Sequence, residues 1–169
     1  LVGLLTVSPD VFDQVAEVNA TGQRLRFSNG AEVSYDLLIH VPPLRPPSAV
    51  RAAGLVAESG WIAVDRHTLA SRFERVVAVG DVTSIPLKLG KPLPKAGVFA
   101  HNEAEVVAHN IARAITGHGA EQRFTGDGEC LIETGNRRAA FGGGNFYADP
   151  APAIRLKQPS VLLHLGKVA

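Results

Sequence analysis

The residues of this chain best suited to chemistry lie between positions 61 and 130. Val76-Val77-Ala78-Val79-Gly80-Asp81 ends an apolar run in a carboxylate that directly follows a glycine. Ligands of open α/β sheets bind outside the carboxyl ends of the strands. A glycine there lets backbone approach a ligand, and an aspartate accepts hydrogen bonds from sugar or ribityl hydroxyls. Downstream, Pro94-Lys95-Ala96-Gly97 leads into a helical pattern, whose free N–H groups and positive dipole end suit an anionic ring or carbonyl. Gly80, Asp81, Lys95 and Gly97 are therefore the candidate ligand-binding residues. Cys130 is the one thiol; a lone cysteine is more often a small buried hydrophobe than a nucleophile. His101, Glu105 and His109 stand at i, i+4 and i+8, a spacing that could hold a metal. Their sequence neighbourhood supplies no outer partners to orient such ligands, so they read as a solvated helix face and no metal site is assigned.

Other patterns fall short of the chemistry they suggest. Gly126/Gly128 and Gly142/Gly144 begin the dinucleotide fingerprint, but Leu131 and Tyr147 occupy the position of its third glycine. Gly90-Lys91 and Gly166-Lys167 are followed by Pro92 and Val168, where a P-loop needs a hydroxyl to reach magnesium. Asn19-Ala20-Thr21 matches a glycosylation sequon by pattern alone.

The elements that must position these residues follow from periodicity. Residues 15–41 read as β structure. Asn29-Gly30 forms the hairpin turn, both residues tolerating the positive φ of type I′, and the apolar run 37–41 suits a strand buried on both faces. The proline run at 42–47 stops it and reads as a stiff crossover between two subdomains. Short strands are expected at 61–64 and, more strongly, at 76–79. A helix is expected over 97–116, with Ala100, Ala104, Val107, Ala108, Ile111 and Ile115 on its inner stripe and Gly117 and Gly119 as C-terminal caps. Residues 130–134 and 137–141 flank Gly135-Asn136, a second hairpin signal. No internal repeat is visible.

The composition sets limits. The chain has 169 residues, 46% hydrophobic and 20% charged, with 17 basic against 16 acidic residues for a net charge of +1. No basic stripe runs through it, so nucleic acid is not the expected partner. No apolar stretch approaches the ~18 residues of a spanning helix. The apolar residues 1–7 lack a basic flank and a cleavage site, so no signal peptide is read. One cysteine excludes an internal disulfide framework and a thiolate zinc cage; the expectation is a cytoplasmic setting rather than secretion. Methionine is absent, and 17 glycines with 11 prolines exceed the average usage of about 12%. The chain is expected to be a piece of something longer.

Taken together, Thr68 and Val76-Val77-Ala78-Val79-Gly80-Asp81 resemble the second FAD motif of the pyridine-nucleotide–disulfide reductase-type flavoproteins. Asn29-Gly30 with Tyr35-Asp36-Leu37-Leu38 resembles the end of their β-meander. Pro94-Lys95-Ala96-Gly97 with its helix, and Val41-Pro42-Pro43, resemble the sulfide:quinone oxidoreductase and flavocytochrome c sulfide dehydrogenase branch. The resemblance covers roughly residues 15 to 165.

The resemblance implies an α/β fold: part of an FAD/NAD(P)-binding Rossmann-like fold with a β-meander, plus a small C-terminal β-rich region. It divides the chain into a remnant of the second nucleotide-binding-like domain with the meander (1–60), the C-terminal part of the FAD-binding domain (61–120), and the β-rich region (121–169). FAD is the implied cofactor. Asp81 would bond its ribityl chain, Gly80 would let backbone pass the pyrophosphate, and Lys95 and Gly97 would lie near the pyrimidine edge of the flavin. Cys130 falls where sulfide-oxidising members place a redox cysteine, its partner thiol then lying upstream or being absent. The implied reaction carries electrons from a reduced sulfur donor through FAD to a quinone or another small acceptor. Residues 159–169 resemble the approach to amphipathic helices that contact a membrane peripherally. Three rivals stand beside this: a type-II NADH:quinone reductase on the same fold, a non-catalytic binding or assembly domain, and a plain α/β domain whose Gly80-Asp81 is only a strand-ending turn.

Overall fold

The computed structural model describes residues 14–39 and 44–168. Residues 1–7, His40 and the Val41-Pro42-Pro43 likeness lie outside that range. The chain divides into two compact units between Leu44 and Arg45, inside the proline-rich stretch.

The first unit is an antiparallel meander of β1 (Val15–Asn19), β2 (Arg24–Phe27) and β3 (Glu32–Ser34). Alternation gives it two faces. Glu17, Arg26 and Glu32 share one register line, and Val18, Leu25 and Val33 the other. Arg26 pairs with Glu17 at 2.6 Å and Arg24 with Glu32 at 3.4 Å. The Asn29-Gly30 turn forms, but not as type I′. Phe27 N–H donates to Ala31 O at 2.9 Å across a three-residue loop, in which only Gly30 takes a positive φ, of 87°. Asn29 Oδ1 instead accepts the Ala31 N–H at 2.9 Å. This is the hairpin form that ends in a glycine bulge. The buried strand expected from residue 37 is also corrected: 37–39 form no strand, and Leu37 and Ile39 are 69% and 81% exposed. No described strand pairs with this segment, and an inner strand needs neighbours on both sides.

The second unit begins with α1 (Ser48–Ala52). β4 (Ile62–Ala63) pairs in parallel with β5 (Thr83–Ser84), so the strand expected at 61–64 shrinks to two residues. The strand expected at 76–79 is corrected. Val77 bridges Ala70, and Ala78 N–H donates to Leu69 O at 3.1 Å, but the segment builds no ladder. It has one described neighbour, on one side only. Gly80–Val82 then turns as a short 3₁₀ helix.

α2 (Gly97–Thr116) is the long helix, closed by Gly117 in the left-handed region at φ 73°. Gly119 lies beyond this cap. The inner stripe differs from the expected one: Phe99, Glu103, Val106 and Val107 are buried, whereas Ile111 is 48% and Ile115 80% exposed. A carboxylate on the inner face interrupts the apolar period, so the pattern locks onto the alanines beside it.

β6 (Asp127–Gly135), β7 (Arg138–Asn145) and β8 (Ala153–Ser160) form an antiparallel sheet followed by α3 (Val161–Val168). The second hairpin turn falls one residue later than read. Asn136 and Arg137, at φ 51° and 56°, are its central pair, and Gly135 opposes Arg138. Glu133 gathers His164 at 3.1 Å and Lys167 at 3.5 Å, tying α3 to β6.

The core comprises Leu69, Ile85, Leu93, Phe99, Val106, Val107 and Phe124. Gly126 and Gly128, the incomplete fingerprint, have a packing role. A Cβ at Gly128 would meet the Phe99 ring at 2.2 Å, and one at Gly126 the Tyr147 ring at 2.3 Å. Phe99 stacks edge-on against Phe146 at 4.9 Å, and Phe124 against Tyr147 at 5.4 Å. The missing side chain at Gly128 thus lets the first turn of α2 lie directly on β6, and the one at Gly126 makes room for Tyr147. Gly128→Val should destabilise the chain by about 1–3 kcal/mol through overpacking. Gly166→Ala, where a Cβ meets nothing within 4 Å, should be neutral or stabilising. Urea denaturation of both variants checks this; an unchanged midpoint for Gly128→Val would refute it.

Candidate functional site

The site is built around the turn at Gly80–Val82. Gly80 sits at φ 71°, and a Cβ there would lie 3.0 Å from Ala100 Cβ, so glycine serves both the conformation and the close approach to α2. The Gly80 N–H donates to Glu103 Oε2 at 2.6 Å. Glu103 is only 1% exposed. On the other side, Lys95 Nζ donates to the Asp81 carbonyl and, at 2.9 Å, to the Thr83 carbonyl. The same ammonium lies 3.6 Å from the Trp61 ring centroid, in cation–π geometry. The Asp81 carboxylate is exposed and makes no hydrogen bond to any described residue. It is therefore available to a ligand.

Charge balance at this turn is set by burial. Loss of solvent pushes the Glu103 carboxyl above its ordinary range; the Gly80 N–H opposes that, nearby Asp81 adds to it, and Lys95 opposes it. Burial likewise lowers the Lys95 ammonium, against the pull of Asp81 and Glu103.

The start of α2 forms the second half of the site. Ala96 offers no side-chain cap, and its carbonyl takes the N–H groups of Phe99 and Ala100 at 3.1 and 3.2 Å. The N–H groups of Gly97 and Val98 find no acceptor among the described residues. An uncapped helix start attracts negative charge. Ala96, Gly97 and Val98 open onto a largely apolar groove whose other walls include Cys130, Leu131, Phe141, Leu162 and Leu163, with Glu129, Lys157 and Lys167 as its charged lining. Cys130 is free and exposed, its thiol donating weakly to Leu131 O at 3.6 Å.

The candidate residues thus fall into two neighbouring recesses. Gly80, Asp81 and Lys95 line one, Gly97 and Cys130 line the other, and Ala96 lines both. The His101, Glu105, His109 series stays apart from both. His101 and Glu105 pair at 3.5 Å on the exposed face, while His109 Nε2 meets Ala120 O at 3.0 Å. Reading the residue types missed Glu103, Trp61 and Thr83. A glutamate one turn beyond Phe99, on the face that carries Val106 and Val107, is the available signal for the first. Trp61 and Thr83 carry none, because their contacts arise only when β4 and β5 pair.

The Glu103 shift has a sign that can be checked. A carboxyl raised in the folded state contributes stability that is complete below its unfolded pKa of about 4.5 and is lost as pH rises through the folded value. Parent stability minus that of Glu103→Gln should therefore be larger at pH 4 than at pH 7 in denaturant melts. An equal difference at both pH values would remove Glu103 as a buried titrating group.

No model of a known protein family matches the chain. It is 29% identical over 129 residues to the mitochondrial sulfide:quinone oxidoreductase of Schizosaccharomyces pombe, covering 73% of this chain and 27% of that protein. It is 20% identical over 127 residues to the mitochondrial sulfide:quinone oxidoreductase of Mus musculus, covering 75% of this chain and 27% of that protein. The chain therefore spans about a quarter of the length of the curated relatives it matches. Among solved structures, the sulfide:quinone oxidoreductase of Aquifex aeolicus has a similar fold, with a TM-score of 0.69 at 22% identity over 86% of this chain and 35% of that one. In sequence and in fold the chain is thus similar to part of the sulfide:quinone oxidoreductases, with a mixed α/β architecture and a small β-rich region.

Proposed function

We propose that this chain is the flavin-facing and acceptor-facing portion of an FAD-dependent oxidoreductase that carries electrons from a reduced sulfur donor to a quinone. The observation that carries the reading is the groove in which the uncapped start of α2 meets Cys130. It joins a surface suited to a partly anionic ring with the chain's one thiol, inside walls apolar enough for a quinone. FAD fits the residues present, because an unengaged carboxylate at Asp81 and free N–H groups at Gly97 and Val98 line two recesses that share Ala96.

When bound, FAD supplies the redox chemistry between donor and acceptor, and the protein supplies placement and electrostatics. Residues 61–120 hold it and residues 121–169 form the acceptor side, with residues 1–60 belonging to the nucleotide-binding-like domain that precedes. Asp81 accepts hydrogen bonds from the ribityl hydroxyls, while Gly80 keeps the backbone low enough for close approach. The N–H groups of Gly97 and Val98 stabilise negative charge on the pyrimidine edge, and Lys95 adds positive potential from behind the turn. Cys130 is the redox thiol; since the chain has one cysteine, a disulfide there takes its second sulfur from elsewhere. No described helix is long and apolar enough to cross a membrane. The outward Leu162 and Val168 of α3, 79% and 65% exposed, support a peripheral contact with a membrane that holds the quinone.

Two variants of the full-length protein test this. Asp81→Ala should weaken FAD binding by about 1.5–3 kcal/mol, the range for losing hydrogen bonds to a charged acceptor, as read by flavin retention in mild denaturant. Cys130→Ser should retain its flavin yet lose sulfide:quinone turnover by about two orders of magnitude or more. Turnover within about twofold of the parent would make Cys130 a packing residue. Full-length protein that binds no flavin would leave a binding or assembly domain instead.

A further inference from the structure

Glu103 presents a physical puzzle. Its neighbours on the inner face of α2 are Phe99, Val106 and Val107, and an apolar side chain would pack among them without the cost of burying a carboxylate. Among the described residues its one hydrogen bond is to the Gly80 N–H at 2.6 Å. The Gly80–Val82 turn has no side-chain cap at its N-terminal end, where Val79 stands; at its other end Thr83 Oγ1 donates to the Gly80 carbonyl at 2.9 Å, which leaves the Gly80 N–H to Glu103. Gly80 is pressed against Ala100, which lies three residues before Glu103 and therefore on the same helix face. α2 thus grips Gly80 through two side chains of one face. Its start, with the free N–H groups of Gly97 and Val98, belongs to the same rigid element.

We propose that Glu103 is the positioning residue of the site: by holding the Gly80 N–H it locks the turn to α2 and so fixes the Asp81 carboxylate relative to the helix start. Its effect on cofactor binding rests on the FAD reading above; its grip on the turn does not. Asp81 and Lys95 are the charged groups that face it, and Lys95 fastens the far side of the same turn through the Asp81 and Thr83 carbonyls. The task needs an oxygen acceptor at the end of a side chain of this length, which glutamate supplies and glutamine shares. Glu103 reaches the turn from the helix without needing any residue of the turn to leave its ligand.

The experiment uses full-length protein with Glu103→Gln, Glu103→Leu and Glu103→Asp. Amide hydrogen exchange is read at Gly80 and, as an internal reference, at Ala78, whose N–H is held by Leu69 O. Glu103→Leu should speed exchange at Gly80 by about tenfold or more and leave Ala78 unchanged. Glu103→Gln should stay near the parent, because its amide oxygen can accept the same N–H. Glu103→Asp keeps the charge but withdraws it by one methylene, and should behave like Glu103→Leu; it serves if the leucine variant also loses protection at Ala78. Titration of apoprotein with FAD should show about tenfold weaker binding for Glu103→Leu. In an Asp81→Ala background the same change should add less than about twofold, because the two residues act as one unit. Unchanged exchange at Gly80 in the leucine and aspartate variants would overturn the proposal, as would a full, additive loss of FAD affinity in the Asp81→Ala background. Faster exchange at Gly80 with FAD affinity unaffected by any of these changes would uphold the grip on the turn and overturn the flavin reading.

Discussion

A buried carboxylate must find a donor, and at Glu103 the donor is a single backbone N–H on a neighbouring turn. That requirement ties together parts of the chain that otherwise have little reason to meet. α2 cannot shift or rotate without leaving Glu103 unsatisfied, so the Gly80–Val82 turn stays against the second turn of the helix. Gly80 must then approach Ala100 closely, which forbids a side chain at that position. Lys95 closes the arrangement from the loop before α2, bonding two carbonyls while its charge rests on the Trp61 ring. The exposed carboxylate of Asp81 is thus carried on a turn held from both sides.

The groove beside this turn depends on a second constraint, the close approach of α2 to the β6–β8 sheet. Phe99 occupies the space a side chain on Gly128 would take, and Tyr147 does the same at Gly126. Tyr147 is itself anchored, its hydroxyl donating to Arg66 O at 2.9 Å with the Arg66 guanidinium 3.7 Å from its ring centroid. Burial pushes the Tyr147 phenol far above its ordinary range, so it remains a hydrogen-bond donor. The aromatic layer brings the helix start and Cys130 to walls of one recess. α3, held by Glu133 through His164 and Lys167, supplies the opposite wall. Packing on one side and an ion cluster on the other therefore shape a groove that no single motif encodes.

Local rules carried the reading wherever a few adjacent residues decide the outcome. The glycine before Asp81, the helix from Gly97 to its cap at Gly117, the meander with its Asn29-Gly30 turn and the β-rich end were all legible, because propensity and turn chemistry act over short spans. Errors came where a neighbour distant in sequence casts the deciding vote. Residues 76–79 and 37–39 look like inner strands by composition, but strand formation needs ladder partners, and the described chain offers the first one neighbour and the second none. The α2 stripe was misplaced because a buried carboxylate satisfied by Gly80, 23 residues earlier, breaks the apolar period. The Gly126/Gly128 pair, already excluded as a fingerprint by Leu131, finds its role only where Phe99 and Tyr147 occupy the space beside it. Residue types and spacing alone thus marked out the candidate groups Gly80, Asp81, Lys95, Gly97 and Cys130. Their sorting into two adjoining recesses, and the emergence of Glu103 as the link between turn and helix, belong to the tertiary structure, because burial and a satisfied hydrogen bond exist only once distant segments have packed.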